Sequence, residues 1–126
     1  MKTISAQEWE LLSLFEVEPT FSYIDDVWPF TEAEYRVEQD QITLYCYIHP
    51  INKSFRLTLI VSNKILYELN VVSVKDIRYR GKPGNEFLEV LVTETEAIVL
   101  RVKPEIEIEH DYNRYFCLYP DFLRKE

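Results

Sequence analysis

Length, composition and charge set the first limits on this chain of 126 residues, of which 47% are apolar and 29% are charged. A chain of this size forms one globular domain, and its 9 Tyr, 7 Phe and 2 Trp exclude the composition of a disordered protein. A net charge of −8 argues against binding to a nucleic-acid backbone, and no apolar run approaches the roughly 20 residues of a membrane-spanning helix. We therefore expect residues 1–126 to form a single cytoplasmic domain that binds neither nucleic acid nor membrane.

The first predicted element is a helix over about residues 5–15. Ser5 and Glu8 have the spacing of a capping box, in which each side chain binds a backbone amide at the start of the helix. The apolar residues from Trp9 to Phe15 cover one broad face, which is typical of a helix that lies on a sheet.

Residues 16–32 are predicted to form an acidic, aromatic loop between the helix and the first strand. Pro19 and Pro29 interrupt regular structure there, and the aromatic side chains between them indicate a loop held against the body of the protein. Charge is also concentrated in this part of the chain, because residues 1–50 hold ten acidic side chains and two basic ones, whereas residues 51–126 hold twelve of each. The net charge therefore belongs to the first 50 residues.

Between about residues 33 and 110, apolar residues alternate with polar ones, which is the period of a β-strand. A two-residue turn at Gln39-Asp40 predicts a hairpin in which Val37 lies opposite Ile42. Successive hairpins can be aligned so that their apolar residues share one face, and this predicts an antiparallel meander.

The next two hairpins extend the same face of the sheet. A turn near Pro50 places Cys46 opposite Leu57, with apolar neighbours on either side. A three-residue loop at residues 62–64 then keeps Tyr67 on that face, where a two-residue loop would turn it outward.

The apolar positions change parity between residues 70 and 76, which predicts a bulge or a bend that switches the chain between sheets. Beyond this point we expect Tyr79 opposite Leu88 in a hairpin closed by a Pro-Gly turn. The following hairpin is expected to pair Val90 with Leu100.

These patterns predict an α+β fold that is mainly β, in which the N-terminal helix is followed by a seven- or eight-stranded antiparallel meander that forms a half-barrel or a sandwich. The aromatic C-terminal segment, residues 111–126, is expected to pack back on the sheet. The predicted core consists of nine residues of shared parity: Ile42, Leu44, Cys46, Leu57, Leu59, Val90, Val92, Ile98 and Leu100.

Few side chains have a pattern typical of catalysis or metal binding. His110 follows Glu107 and Glu109, and such a set could hold a divalent cation if a second strand supplied further ligands. Carboxylates two residues apart on one strand lie about 6–7 Å from each other and do not converge, so a solvated edge strand is the alternative.

Neither cysteine has the surroundings of a nucleophile. Cys46 lies on the predicted inner face and Cys117 stands among apolar and aromatic residues, so we expect both thiols to be structural and reduced. Gly81 and Gly84 are too few to build a phosphate-binding loop. The sequence therefore predicts no cofactor and no catalytic residue.

The acidic loop and the start of the first strand contain the strongest candidate for a binding surface. Its aromatic residues would supply contact area, and its carboxylates would attract a partner protein with a basic surface. The predicted partner-binding residues are Asp25, Asp26, Trp28, Phe30, Glu32 and Glu34. An alternative anion-binding stripe consists of Arg78, Arg80 and Lys82, unless Glu89 on the neighbouring strand neutralises it.

Three classes of function agree with these observations. The first is a non-enzymatic interaction module that binds a basic partner, as an inhibitor or an immunity-like protein does. The second is a small-molecule carrier, in which a curled sheet encloses an apolar cavity lined by Tyr35, Tyr67 and Tyr79. The third is an enzyme of unknown type, although no nucleophile, base and orienting group come together in the sequence. Pairing of two copies through an exposed edge strand is also open.

Overall fold

The computed structural model describes residues 3–21, 28, 30–82 and 84–112. Within these residues the chain forms one helix and nine strands. The helix is α1 (Glu8–Phe15), and the strands are β1 (Thr20–Phe21), β2 (Ala33–Gln39), β3 (Ile42–His49), β4 (Ser54–Val61), β5 (Lys64–Val71), β6 (Asp76–Lys82), β7 (Asn85–Leu91), β8 (Ala97–Arg101) and β9 (Glu107–Asp111). Strands β1 to β5 form one antiparallel sheet in chain order, and strands β6 to β9 form a second. The predicted α+β, mainly β fold is confirmed.

The inner faces of the two sheets share one hydrophobic core, to which Leu11, Leu14 and Phe15 of α1 also belong. Of the nine predicted core residues, six are buried, namely Leu44, Cys46, Leu57, Val90, Ile98 and Leu100. Ile42, Leu59 and Val92 are half-buried, so the prediction overstated the core at those three positions. The protein therefore consists of two open sheets packed around a common core.

The helix begins later than its sequence predicts. Ser5 does not cap it, because its N–H donates to Asp76 Oδ1 at 2.8 Å and its hydroxyl donates to the other oxygen of the same carboxylate. The N-cap is Gln7, whose N–H donates to the Glu10 side chain at 2.8 Å. Glu16 ends the helix in the left-handed conformation. The capping pattern thus exists two residues further along, and Ser5 instead ties the start of the chain to β6.

A buried carboxylate braces α1 against the second sheet. Glu86 on β7 is 3% exposed and accepts hydrogen bonds from the Ser13 hydroxyl at 2.6 Å and from the Tyr79 hydroxyl. Lys103 Nζ lies 2.9 Å from the other Glu86 oxygen and 3.1 Å from Glu16. Because these residues come from α1, β6, β7 and the segment after β8, the network fixes the position of the helix.

The register between β3 and β4 is confirmed, with Cys46 opposite Leu57. The register between β2 and β3 is displaced by two residues from the prediction, so that Val37 lies opposite Leu44 and the turn falls at residues 40–41. Gln39 stays in the strand because its side-chain amide donates to the carbonyl of residue 102 and accepts the N–H of residue 106 at 3.0 Å. A shift of two preserves parity, and the same side chains therefore face the core.

Strands β4 and β5 are joined by a two-residue turn rather than the predicted three-residue loop. Ser62 and Asn63 both have positive φ, as this tight hairpin turn requires. A β-bulge between Leu59 and Ile60 on the β4 register then restores Tyr67 to a position opposite Leu59. Tyr67 therefore lies on the predicted face of β5, and it does so because of the bulge rather than a three-residue loop.

Residues 72–75 carry the chain from the first sheet to the second, which confirms the predicted switch. Tyr79 lies opposite Leu88 as predicted. Val90 lies opposite Ile98 rather than Leu100, because the loop closes earlier, with the N–H of residue 92 donating to the carbonyl of residue 96 at 2.9 Å.

The segment predicted as a continuous loop over residues 16–32 contains the short strand β1, which pairs with the start of β2. The predicted packing of the C-terminal segment falls largely on residues 113–126, which lie outside the described residues. In the described part of the chain, no helix has the length and apolar character that crossing a membrane requires.

Candidate partner-binding surface

The described structure places four of the six predicted partner-binding residues, namely Trp28, Phe30, Glu32 and Glu34. Asp25 and Asp26 lie outside the described residues. Trp28 is half-buried and packs against the core. Phe30, by contrast, is 61% exposed. Glu34 lies at the start of β2, and Glu32 immediately precedes the strand.

The outward face of the first sheet brings further side chains beside these residues. Because side chains alternate along a strand, burial of Tyr35 and Cys46 in the core turns their neighbours away from it. Register then aligns the outward residues in rows across the sheet, and one such row joins Glu34, Tyr47 and Arg56. We define the Tyr–Arg face as Glu34, Arg36, Glu38, Tyr45, Tyr47 and Arg56.

Aromatic rings and guanidinium groups are stacked on this face. The rings of Tyr45 and Tyr47 have centroids 6.5 Å apart and planes inclined by 16°. The Arg56 guanidinium carbon lies 4.0 Å from the Tyr47 centroid, and that of Arg36 lies 5.8 Å from the Tyr45 centroid. Such cation–π contacts restrict the long arginine side chains, which lowers the entropy cost of using them in a contact.

Ion pairs complete the surface. Arg36 lies 2.5 Å from Glu38, and Arg56 lies 3.5 Å from Glu32. These side chains are between 34% and 55% exposed, so their ion pairs are screened by water and add little to stability. With Glu34 included, these residues comprise three carboxylates and two guanidinium groups, so the net charge of the surface is negative.

Tyr47 is the central aromatic residue of the Tyr–Arg face. Burial, followed by the nearby Glu34 carboxylate, raises the pKa of its phenol above the usual 10.0. The hydroxyl therefore stays neutral at physiological pH and can both donate and accept a hydrogen bond. A ring with a polar tip suits an interface that is apolar at its centre and wet at its rim.

The sequence alone did not single out Tyr45 or Tyr47 as surface residues. The signal was present, because the parity that places Cys46 and Leu57 in the core necessarily turns Tyr47 and Arg56 outward. The register between β3 and β4 must also be known, because it determines that Arg56 lies opposite Tyr47 rather than Tyr45.

The alternative stripe on β6 is partly neutralised within the protein. Arg80 Nε lies 3.2 Å from Glu89, whose side chain is 0% exposed, and Arg78 Nε lies 3.4 Å from Asp76. Lys82 is exposed. The cross-strand neutralisation that the sequence offered as an alternative therefore occurs, and the stripe carries less positive charge than its composition indicates.

The described histidine and cysteine side chains are not assembled into a catalytic arrangement. Cys46 is fully buried, and burial raises the pKa of its thiol, so it is not a thiolate nucleophile. His49 accepts the N–H of Asn52 at 3.3 Å in a turn, and His110 lies 2.6 Å from Glu96. Among the described residues, no three potential metal ligands come together. Cys117 lies outside them.

The three tyrosines that the sequence assigned to one apolar cavity have separate environments. Tyr35 is fully buried and stacks on Phe15 with ring centroids 4.5 Å apart. Tyr79 donates to Glu86 in the buried brace. Tyr67 lines a cavity of about 420 Å³ between the sheets. The prediction of one cavity lined by all three is therefore wrong.

No family model matches this chain, and no curated protein matches its sequence. Its fold is similar to that of a chain in the solved structure of a contact-dependent growth inhibition toxin–immunity protein complex from Klebsiella pneumoniae 342. The TM-score is 0.71 at 17% sequence identity, and the match covers 88% of this chain and 98% of that chain. A likeness at this identity shows a common fold.

Proposed function

We propose that this protein is a non-enzymatic, immunity-like binding module whose partner is a protein with a basic surface. The observation that carries the proposal is the Tyr–Arg face, where two stacked tyrosines and two restrained arginines lie on a rigid sheet. Tyrosine and arginine are enriched among the residues that dominate the binding energy of protein interfaces. The binding surface consists of this face together with the acidic segment that precedes it.

The acidic segment supplies the charge that selects the partner. Glu34 belongs to the Tyr–Arg face, and Glu32 contacts Arg56 of that face. Phe30 offers an exposed ring two residues before Glu32, and Asp25 and Asp26 belong to the same stretch of sequence. An excess of carboxylates repels acidic proteins and accelerates the approach of a basic one. The mixture of charges on the face itself then fixes orientation, because each guanidinium already holds a carboxylate beside it.

The shared fold with a chain of a toxin–immunity complex supports the immunity-like form of this proposal. An immunity function requires tight binding to one partner and no chemistry of its own. The burial of Cys46 and the separation of the two histidines agree with that requirement.

The proposal is tested by isolating the protein with its partner from the native host and measuring the purified pair by biolayer interferometry. We expect a 1:1 complex with a basic protein. Tyr47→Ala should weaken binding by roughly thirtyfold or more, since central aromatic residues contribute at least about 2 kcal/mol. Trp9→Ala is the matched control, because Trp9 is 66% exposed on α1 and lies outside the Tyr–Arg face.

An immunity role adds a second measurement. If the partner arrests growth when expressed alone, co-expression of the wild-type protein should restore growth and co-expression of Tyr47→Ala should restore it less. If neither Tyr47→Ala nor Arg56→Ala changed the affinity, the binding site would lie outside the Tyr–Arg face. A partner without a basic surface would contradict the charge argument.

A further inference from the structure

The Tyr–Arg face is too small to form a whole protein interface. It has six residues, and Phe30, Glu32, Asp25 and Asp26 of the acidic segment bring the number to ten. A specific, stable interface uses about 20–30 residues on each side. A partner that binds this face, as the proposed function requires, must therefore contact neighbouring residues as well.

An uncharged patch continues the outward side of the first sheet beyond the Tyr–Arg face. Thr43 on β3 lies opposite Glu38 of that face and opposite Ile60 on β4. Ile60 in turn lies opposite Ile65 on β5, the last strand of this sheet. Because residues directly opposite each other share one side of a sheet, this row lies on the outward side. We define the Thr–Ile patch as these three residues and the one opposite Tyr45, namely Thr43, Thr58, Ile60 and Ile65.

The Thr–Ile patch has the composition of the centre of an interface. Its four side chains are uncharged, and Ile65 is 60% exposed although it is a large aliphatic residue. Charged side chains border the patch, with Arg36 and Glu38 on β2 and Glu68 opposite Thr58 on β5. Protein interfaces commonly have a core depleted of charge and a polar rim. The patch and the adjoining tyrosines correspond to such a core, and the bordering arginine and glutamates correspond to the rim.

A depression beside the patch can hold a side chain of the partner. It has a volume of about 470 Å³ and is lined by Thr43 and Ile60 and by the turns at residues 40–41 and 62–63. The Ser62 hydroxyl donates to Gln41 Oε1 at 2.6 Å, and the Ser62 N–H donates to the Gln41 carbonyl at 3.0 Å. These bonds join the two turns, so the depression is formed in the free protein and binding has less order to create.

Charge at the depression selects what lies next to that side chain. Glu38 and Asp40 line it, and no lysine or arginine is among its described lining residues. Arg36 lies 2.5 Å from Glu38, whereas Asp40 forms no ion pair within the described part of the chain. A lysine or arginine of the partner would therefore meet a carboxylate there that no group of this protein already neutralises.

We infer that the partner covers the Thr–Ile patch with an apolar segment, places one of its side chains in the depression against Ile60, and directs a neighbouring lysine or arginine at Asp40. This inference rests on the proposed function and extends its interface from β2 and β3 to β5. It also fixes the orientation of the partner, because the apolar contacts lie toward β5 and the charged ones toward β2.

Biolayer interferometry with the isolated partner and the full-length protein tests the inference. Ile65→Asp should weaken binding at least about tenfold, because the apolar segment of the partner would remove water from the new carboxylate. The direction is diagnostic, since added negative charge alone would accelerate the association of a basic partner. Ile65→Ala, which adds no charge, should weaken binding about threefold to fivefold. Asp40→Asn should weaken it about twofold to fivefold.

Leu66→Asp is the matched control for Ile65→Asp. Leu66 is the adjacent residue and is 69% exposed, but it lines the cavity between the two sheets instead of the Thr–Ile patch. The control introduces the same charge at the same edge of the sheet, so it should bind at least as tightly as the wild type.

The outcomes separate this inference from the proposed function. Unchanged affinity for Ile65→Asp or for Asp40→Asn, together with a loss for Tyr47→Ala, would overturn the inference and leave the proposed function in place. Unchanged affinity for Tyr47→Ala and Arg56→Ala as well, or the absence of a basic partner, would end both. Sedimentation velocity of the free protein should show a monomer. A dimer that Ile65→Asp dissociates would mean that a second copy of this chain occupies the patch, which would also overturn the inference.

Discussion

Replacing Glu86 with glutamine removes one charge from the buried brace and nearly preserves the shape of the side chain. The native carboxylate is 3% exposed and accepts hydrogen bonds from Ser13 at 2.6 Å, from Tyr79, and from Lys103 at 2.9 Å. Hydrogen bonds to a charged group contribute about 1.5–3 kcal/mol. The NH₂ group of a glutamine side chain is a donor, so in the variant it would face one of the three groups that donate to Glu86. Lys103 keeps its contact with Glu16, which limits the loss. We expect Glu86→Gln to lower the free energy of unfolding by about 2–4 kcal/mol.

The loss should depend on pH in a defined direction. Burial, the largest single influence, raises the pKa of Glu86, but the hydrogen bonds from Ser13, Tyr79 and Lys103 together outweigh it and hold the pKa below the usual 4.5. A carboxyl whose folded pKa is lowered stabilises the protein above its unfolded pKa, and that contribution is lost as pH falls through the folded value. The advantage of the wild type over Glu86→Gln should therefore be complete at pH 7 and should shrink below pH 4.5.

Urea unfolding of both proteins at pH 7 and at pH 3 measures the two effects, with the slope m compared to verify that the unfolding transition is unchanged. Glu105→Gln is the matched control, because it makes the same chemical change at an exposed position. A loss smaller than about 1 kcal/mol at pH 7, which is the value of an ordinary neutral hydrogen bond, would refute the account of the brace. An equal loss at both pH values would refute the assignment of the charged form.

Three further predictions concern the core, the thiols and the acidic segment. Leu57→Ala should destabilise the protein by about 2–5 kcal/mol in the same urea assay, because Leu57 is 0% exposed between the sheets. Replacing Cys46 and Cys117 with alanine or valine should leave partner binding intact, and mass spectrometry after alkylation without reduction should show two free thiols; a two-dalton deficit would reveal a disulfide. Changing Asp25, Asp26, Glu32 and Glu34 to their amides should slow association with the native partner and weaken its salt dependence, whereas amides at Glu94, Glu105, Glu107 and Glu109 should not. An unchanged association rate at low salt would contradict this and would favour a binding site at Arg78, Arg80 and Lys82 instead.

Alternation along the chain determined which side chains face the core. The period of two places Leu44, Cys46 and Leu57 on one side whatever the exact pairing, because a register error of two residues does not change a face. The same argument located the switch between sheets at residues 70–76, where parity changes. These features are local, and a single sequence is enough to predict them.

Tertiary structure decided the register, the brace and the surfaces. Gln39 remains in β2 because its side chain bonds to residues 102 and 106, more than sixty positions away. Glu86 meets Ser13, Tyr79 and Lys103 through packing of the helix on the second sheet, and the cavity exists where the last strands of both sheets approach each other. Contacts between residues so far apart in the sequence leave no periodic pattern in it, because each contact depends on how separately formed elements pack. The Tyr–Arg face likewise depends on strand pairings that parity alone does not specify.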